Sequence, residues 1–433
     1  MKSNLPVHTC DLIVIGTGMT GMAAALFAAL RGIDTVQVGM TSELNFASGL
    51  LDLMGVCPSD PTRVYDDPWQ AIDALVTEHP AHPYGRLQPA DMRAAFTSLL
   101  QFLEQNGLPY FCSPERNLRL ITPIGTEKTT YAIPRSCFHG IKALADKAGC
   151  LIVDFKGLKG FSAVQISQSL SARWPQLKPC RLEFPGSRPG DLYPEQMALL
   201  LEAPENRTLL AEAIRPHLSN ASYVALPAVL GLYRPYTVFN ELQKLLEKPL
   251  FEIPTMPPAI SGMRLRHIFE QNLPGRNVRL FAQQKVLRVL RHEHNRIELE
   301  IGFQEPSAIV HARGAILASG RFFGRGLEAD RRAVRETIFD LPVHQPSNRA
   351  GWHTKALFDH GGHPINRAGV ETDKHLRPTN KKGQVILPNL FAAGSILAHQ
   401  DWVRMKCGSG LAITTAYSAV KHFARDCLKA VAQ

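Results

Sequence analysis

The sequence lacks the motifs by which several common kinds of site are recognised. Its eight cysteines never come as close as C-x-x-C, whereas iron–sulfur clusters and structural zinc ions require clustered thiolates. Neither H-E-x-x-H nor G-x-S-x-G occurs among the 433 residues, and these patterns mark zinc hydrolases and serine hydrolases. We therefore expect no metal site, and the residues identify no catalytic acid, base or nucleophile.

The chain also lacks low-complexity tracts and internal repeats. Hydrophobic residues make up 45% and charged residues 20% of the sequence, which is typical of a folded globular protein. This composition excludes a disordered, collagen-like or coiled-coil chain. With 433 residues, the chain is long enough for two or three domains, or for one large α/β domain with an insertion.

Long apolar segments are scarce as well. Residues 12–30 form an uncharged run that is long enough to resemble a membrane span or a signal peptide. However, Gly16, Gly18 and Gly21 divide this run into a short aliphatic part, a turn and an alanine-rich part. We therefore expect a buried strand and a buried helix here, and no membrane span.

The net charge of +10 is unevenly distributed. The first 100 residues hold five Lys and Arg against ten Asp and Glu, so the rest of the chain carries a large positive excess. A basic surface attracts anions of many kinds. The basic stretches 264–296 and 313–335 lack the interleaved aromatic residues on which nucleic-acid bases stack, so we expect no nucleic-acid partner.

The opening residues indicate a strand, a glycine turn and a helix. The aliphatic run at 11–15 predicts a buried strand, and the alanine-rich run at 22–30 predicts a helix. The turn between them has the pattern G-x-G-x-x-G. Gly16 permits the tight turn, Gly18 lets a phosphate approach the backbone, and Gly21 lets helix and strand pack closely. A nucleotide phosphate is therefore expected at the helix N-terminus.

A second strand is predicted at residues 35–38, and it ends without the carboxylate that usually holds the ribose of an adenosine dinucleotide. The nearest carboxylates, Asp34 and Glu43, come before the strand and well after it. Gln37 offers only a weaker hydrogen bond to a ribose. We therefore expect the mononucleotide FMN, with FAD as the second choice.

Three further glycine-bearing sites follow expected strands or open an expected helix late in the chain. Backbone N–H groups at such turns, and above all at a helix N-terminus, stabilise the negative charge that develops on a reduced flavin. The last of these sites opens a helix expected at about 411–431. The predicted flavin contacts in these sites are Ser319, Gly320, Gly394, Ser395, Gly408 and Gly410.

The character of the sequence changes twice along the chain. Proline becomes frequent between about residues 60 and 300, where helical stretches alternate with short strands. The regions before and after it share apolar strands that end in glycine. We predict an α/β protein in which residues 1–60 and 301–433 form a discontinuous Rossmann-like domain, and residues 61–300 form a large inserted α/β domain.

Short segments in order along nearly the whole chain carry a family resemblance. They are residues 11–21, 45–52, 82–84, 121–126, 254–258 with Gly262 and Arg264, 318–324, 370–373 with 376–378, and 389–395. These segments resemble the B subunit of the anaerobic glycerol-3-phosphate dehydrogenases. The resemblance implies a flavin-binding domain of the two-dinucleotide-binding flavoprotein type. Ser48 and Gly49, within one of the matching segments, complete the predicted flavin contacts.

The resemblance also implies a function. Members of this family are described as FMN-binding flavoproteins that work beside an iron–sulfur C subunit, which anchors the complex to the membrane, and a FAD-containing catalytic A subunit. Such a complex oxidises sn-glycerol 3-phosphate to dihydroxyacetone phosphate and passes electrons toward quinone in fumarate or nitrate respiration. This chain would then be cytoplasmic and peripheral on the inner membrane.

Two other functions are possible for this chain, and one segment of it departs from the family pattern. The chain could instead be a stand-alone flavin or NAD(P)-dependent reductase, or a scaffold subunit without a cofactor. The departure is the segment 398–406, which is bulkier and more polar than the glycine-rich sequence of the family. Lys406 or Arg404 in this segment would lie near the flavin and either favour its anionic reduced form or block it.

Overall fold

The computed structural model describes residues 5–40, 43–56, 60, 63–187, 190–293 and 295–428. The chain divides into two compact units. The first unit consists of Met1–Glu43, Asp52–Leu99 and Phe269–Gln433, and the second consists of Leu44–Leu51 and Leu100–Ile268.

Strands and helices alternate along much of the described chain. The strands are β1 (Val7–Ile15), β2 (Thr35–Gly39), β3 (Tyr110–Cys112), β4 (Leu118–Ile121), β5 (Glu127–Thr130), β6 (Ala132–Pro134), β7 (Cys150–Phe155), β8 (Leu177–Leu182), β9 (Tyr223–Pro227), β10 (Leu250–Ile253), β11 (Val278–Ala282), β12 (Lys285–Glu293), β13 (Arg296–Gly302), β14 (Pro306–Leu317), β15 (Leu327–Ala329), β16 (Val334–Glu336), β17 (Val343–His344), β18 (Gly369–Val370) and β19 (Leu390–Ala392). The α-helices are α1 (Met19–Ala29), α2 (Pro68–Glu78), α3 (Pro89–Gln105), α4 (Phe138–Asp146), α5 (Ala163–Leu170), α6 (Pro194–Leu200), α7 (Pro204–Ile214), α8 (Pro235–Leu246), α9 (Ile260–Asn272), α10 (Trp402–Met405) and α11 (Gly408–Phe423).

The first unit is built on a mixed sheet with the strand order β11-β2-β1-β14-β13-β12, and β19 also pairs with β14. The strands β11, β2, β1, β14 and β19 run parallel, whereas β13 and β12 form an antiparallel extension. The long strand β14 pairs with β13 along its first half and with β19 along its last residues. The parallel strands therefore share one carboxyl edge, which confirms the predicted α/β, Rossmann-like fold class.

Helices α1 and α11 pack against each other in the first unit. Both are buried over most of their length, and α1 has no charged residue. The ring of Phe27 meets that of Tyr417 edge to face at 5.1 Å, and the Arg31 guanidinium lies 4.6 Å from the centre of the same Tyr417 ring. The uncharged run at 12–30 is thus a buried strand and a buried helix. The predicted last helix is α-helical as far as Phe423 and continues as a π-helical turn over Ala424–Leu428. Residues 429–431, which were expected to end this helix, lie outside the described residues.

No helix within the described ranges reaches the length and apolar content that a bilayer-spanning segment requires.

The second unit contains a parallel four-stranded sheet in the order β10-β9-β7-β8. Strands β7, β9 and β10 are buried at every position. Most of their residues are apolar, as expected for a buried parallel sheet, and the exceptions are the buried carboxylates Asp154 and Glu252. The packed interior includes the fully buried side chains of Trp174 and Phe251.

A buried ion pair links strand β10 to helix α9 in the second unit. Arg264 donates from Nη1 and Nη2 to the two carboxylate oxygens of Glu252, at 2.7 and 2.9 Å, and both side chains are at most 2% exposed. Glu252 also accepts from the Ser136 hydroxyl at 2.6 Å and from the Leu230 N–H at 2.8 Å. Arg264 Nε donates to the Gly231 carbonyl at 2.8 Å. The pair is tolerated inside the unit because every oxygen and nitrogen named here has a partner.

The limits of the two units differ from the predicted division at residues 60 and 300. Strand β11 pairs with β2, and the hairpin β12-β13 extends β14, so residues 269–300 belong to the first unit. Residues 61–99 belong to it as well, whereas residues 44–51 belong to the second unit. There Leu51 forms a bridge with Ala132. A change in composition along the chain does not reveal such returns between units.

We predict that Arg264→Met destabilises the second unit by about 3–5 kcal/mol, because the Glu252 carboxylate would stay buried without its counter-ion. As a matched control, Lys156→Met removes an ion pair with Glu183 whose side chains are 62% and 74% exposed, and it should change stability by less than about 1 kcal/mol. Urea unfolding followed by circular dichroism measures both. Equal unfolding midpoints for the two variants would contradict this reading of the buried pair.

Candidate functional site

Three glycine turns meet at the carboxyl edge of the parallel sheet in the first unit. Strand β1 ends at Ile15, which pairs with Leu317 of β14, and Leu317 in turn pairs with Ala392 of β19. The backbone continues these pairings, since Ala318 N–H donates to the Ile15 carbonyl at 2.9 Å and Ala393 N–H to the Leu317 carbonyl at 3.0 Å. The turns at 16–21, 319–320 and 394–395 therefore adjoin one another.

Two glycines of the first turn are required by close backbone packing. A Cβ atom on Gly16, whose φ is +131°, would overlap the carbonyl oxygen of Ala318, and a Cβ on Gly21 would overlap that of Gly16. The buried Gln37 side chain holds the same turn, because its Nε2 donates to the Gly16 carbonyl at 2.9 Å. The Gln37 amide nitrogen thus has a structural role in the turn, whereas its buried Oε1 has no hydrogen-bond partner among the described residues.

Gly18 is different because a Cβ there would overlap no atom of the protein. The nearest atom to a Cβ built there is the Glu43 Oε2, at 3.8 Å. Gly18 is also the N-cap of α1, where no side chain caps the helix and no acidic residue occupies the first turn. The N–H groups of the first helical turn and the helix dipole favour an anion at this point. A side chain at position 18 would fill the space that a phosphate group needs.

Glu43 lies at the same edge of the sheet, although the sequence analysis set it aside because it comes well after β2. Its Oε1 is 3.4 Å from the position of a Cβ on Gly320 and 2.8 Å from that of a Cβ on Gly324. Burial raises the pKa of the Glu43 carboxyl above its ordinary value. The available signal was an acidic residue a few positions beyond β2.

The two serines of the adjoining turns offer hydroxyl groups. Ser395 Oγ lies 3.7 Å from the position of a Cβ on Gly320. Ser319 Oγ is buried and has no hydrogen-bond partner among the described residues. A buried polar atom without a partner normally costs about 1–3 kcal/mol, so a bound group that supplies one fits this position.

The predicted contacts Gly394, Gly408 and Gly410 are close-packing positions. A Cβ on Gly394 would overlap the Thr20 hydroxyl, and one on Gly410 would overlap the buried Tyr84 hydroxyl. A Cβ on Gly408 would lie 2.8 Å from the ring atom Cε3 of Trp402. These contacts explain the glycines without a cofactor, and a flavin contact at their backbone atoms stays a prediction.

The polar segment 398–406 is held by its own side chains. Gln400 Nε2 donates to the carbonyls of Ser395 and Leu397 at 2.9 and 3.0 Å, and Gln400 is fully buried. Arg404 Nε lies 3.3 Å from the Asp401 carboxylate. Arg404 is therefore engaged in a local ion pair with Asp401.

Ser48 and Gly49 belong to the second unit. A Cβ on Gly49 would lie 2.5 Å from the Cβ of Ser261, and the Gly49 carbonyl accepts from the Tyr110 hydroxyl at 2.8 Å. The Ser48 hydroxyl accepts from the Leu50 N–H at 3.3 Å. These contacts give both residues a local structural role, and their part in flavin binding stays a prediction.

Comparison with known proteins identifies the class of protein to which this chain belongs. A family described as "FAD binding domain" matches residues 11–411. The first unit, with its sheet edge and open Gly18 turn, thus belongs to a flavin-binding protein. The match names FAD and does not support the expectation that FMN is the preferred form.

Curated relatives identify the family more narrowly. The B subunit of the anaerobic glycerol-3-phosphate dehydrogenase from Vibrio vulnificus strain CMCP6 is 31% identical over 95% of both chains. The protein of the same name from Pectobacterium carotovorum subsp. carotovorum is 30% identical over 97% of this chain and 98% of its own. The chain therefore belongs to the family of anaerobic glycerol-3-phosphate dehydrogenase B subunits.

Among solved structures, the chain is similar to the 3-ketosteroid delta1-dehydrogenase from Sterolibacterium denitrificans. The sequence identity is 13%, the alignment covers 96% of this chain and 100% of the other, and the TM-score is 0.43.

We predict that Gly18→Val abolishes flavin binding while the chain stays folded, because the added side chain would occupy the phosphate position without meeting the backbone. Gly275→Val is a matched control, since a Cβ at Gly275 meets nothing within 4 Å. Flavin absorbance per chain and circular dichroism of the purified proteins measure both properties. A Gly18→Val protein with full flavin content would contradict the placement.

Proposed function

We propose that this chain is the flavin-carrying B subunit of an anaerobic glycerol-3-phosphate dehydrogenase. In that complex, sn-glycerol 3-phosphate would be oxidised to dihydroxyacetone phosphate, with electrons passing toward quinone. The observation that carries the proposal is the open Gly18 turn at the N-terminus of α1, in a chain whose similarity to the named B subunits covers almost its whole length.

The cofactor we propose is FAD, bound at the carboxyl edge of the first unit. The N–H groups at Gly18 and the first turn of α1 would hold its phosphates. The hydroxyls of Ser319 and Ser395 would hold polar groups of the cofactor. When bound, the flavin supplies the capacity to accept and release electrons, while the protein orients it and sets its potential.

Glu43 supports FAD over FMN. The expectation of FMN depended on the lack of a carboxylate at the end of β2. The Glu43 carboxyl lies 3.8 Å or less from the Cβ positions of Gly18, Gly320 and Gly324, so the chain carries an acidic group to the turns from four residues beyond Gly39, where β2 ends. We propose that Glu43 takes the role of the missing ribose carboxylate.

The proposed partners are a FAD-containing catalytic A subunit plus an iron–sulfur C subunit. The relatives are named as subunits of a dehydrogenase, which supports a multi-subunit assembly. We propose that the chain is cytoplasmic and reaches the inner membrane through the C subunit.

The role of Glu43 can be tested with the two flavins side by side. We predict that Glu43→Leu weakens FAD binding by about 10- to 100-fold, the loss of one hydrogen bond to a charged group, and leaves FMN binding unchanged because FMN has no adenosine ribose. Titration of apoprotein with each flavin, followed by fluorescence, measures both affinities. Chromatography of the flavin released from the native protein should identify FAD.

An equal loss of affinity for both flavins would show that Glu43 acts on a part common to FAD and FMN. Gln284→Leu, which removes a side chain that accepts from the exposed Ser307 hydroxyl, is the control and should leave both affinities unchanged. Released FMN in place of FAD would contradict the proposed cofactor.

The function itself is tested by reconstitution with the A and C subunits. We predict that the chain copurifies with both and that electron transfer from glycerol 3-phosphate to a quinone requires all three. The chain alone should be inactive with NADH and NADPH. Activity of the isolated chain with a nicotinamide donor would favour a stand-alone reductase, and full quinone reduction by the other two subunits without this chain would contradict an electron-carrying role.

A further inference from the structure

Two histidines and one glutamate from three separate segments meet in the first unit. His344 lies in β17, which pairs with β18 through His344 and Gly369. Glu371 follows β18 directly, and the chain near His399 runs beside the same strand through a bridge between Val370 and Leu397. The short strand β18 therefore places the three side chains next to one another.

The potential ligand atoms of these residues lie close together. Glu371 Oε1 is 3.2 Å from His344 Nδ1 and 2.8 Å from His399 Nε2, and one donor atom from each residue lies within 4.8 Å of the others. The side chains of His344, Glu371 and His399 are 42%, 39% and 21% exposed. The group is thus preassembled and reachable from solvent.

The backbone holds His399 in an unusual conformation. Its φ is +65°, in the left-handed region that residues other than glycine rarely adopt. The His399 N–H donates to the Arg367 carbonyl at 3.0 Å, and the preceding Ala398 N–H donates to the Val370 carbonyl at 3.0 Å. These hydrogen bonds hold the imidazole beside Glu371 in spite of the local strain.

We propose that His344, Glu371 and His399 bind a zinc ion. Two imidazole nitrogens and one carboxylate oxygen form the donor set of zinc sites that keep a coordination position open. The carboxylate partly neutralises the ion, and imidazole suits zinc better than it suits calcium or magnesium. Glu371 Oε1 now lies 2.8–3.2 Å from a nitrogen of each imidazole, so small movements of the side chains would bring all three donors to a common ion.

Two surface cavities give an ion access to the group. One of about 440 Å³ is lined in part by His344 and Glu371, and the other, of about 290 Å³, is lined in part by His344 and Arg367. His344 therefore borders both cavities, and the open coordination position would be available to water or to an anionic ligand. Both cavities are lined only by residues of the first unit.

Nearby cations oppose the ion, because basic side chains line both cavities beside it. Arg86 donates from Nη1 to Thr372 Oγ1 at 3.2 Å and acts electrostatically on both Glu371 and His399. With three ligands and this opposing charge, we expect weaker binding than in a closed site with four protein ligands. The site is independent of the proposed flavin function, and loss of zinc should leave the flavin content unchanged.

Zinc titration of the purified chain tests the proposal. Tag-free protein is stripped with a chelator, and Zn²⁺ binding is measured in competition with a chromophoric chelator. We expect one ion per chain, and affinity at least about tenfold weaker in His344→Ala, Glu371→Ala and His399→Ala, since even the loss of outer partners costs about 10- to 100-fold. Flavin content and circular dichroism show that each variant is folded.

His353→Ala is the matched control, because its ring meets that of another histidine, His363, edge to face with ring centres 5.1 Å apart, but His353 is not part of the three-residue group. Zinc binding should be unchanged in this variant. Substitution with Co²⁺ tells imidazole from thiolate ligands, since a cysteine ligand adds a strong charge-transfer band. No stoichiometric zinc binding, a thiolate band, or equal affinity in all variants would overturn the proposal.

Discussion

In the first unit, the backbone just after β1 packs directly against the backbone just after β14. Gly16 lies against the carbonyl of Ala318, and Gly21 lies against the carbonyl of Gly16, with no space for a Cβ at either position. This contact fixes the direction in which α1 leaves the sheet. Because α1 is fixed, its N-terminus faces the carboxyl edge, and the other turns at that edge can face the same bound group. The flavin site we propose depends on this arrangement.

The glycines of the site separate into two kinds once their surroundings are known. Gly16, Gly21, Gly394 and Gly410 are needed because a Cβ would meet neighbouring atoms of the protein. At Gly18 and Gly320 the nearest atoms to a Cβ are side-chain oxygens at 3.4 Å or more, so at these positions the lack of a side chain leaves space for a ligand. The G-x-G-x-x-G motif therefore combines two glycines that close packing requires with one, Gly18, that leaves space for a ligand.

Much of the fold could be predicted because burial leaves a clear pattern. Strand β1 is buried from Leu12 to Ile15 and helix α1 from Thr20 to Ala28, and these stretches carry no charge. Glu43 could not be assigned in the same way, because its place beside the turns depends on the path of the chain after β2. The group of His344, Glu371 and His399 was missed for the same reason, since its members are far apart in sequence and only β18 brings them together.

The most direct test of the account is a crystal structure of the chain purified with its flavin. We predict a phosphate oxygen of the cofactor at about 3 Å from a backbone nitrogen in the first turn of α1, next to Gly18 and with no side chain between them. A flavin bound elsewhere, with the turn at Gly18 in contact only with protein or solvent, would contradict the central claim.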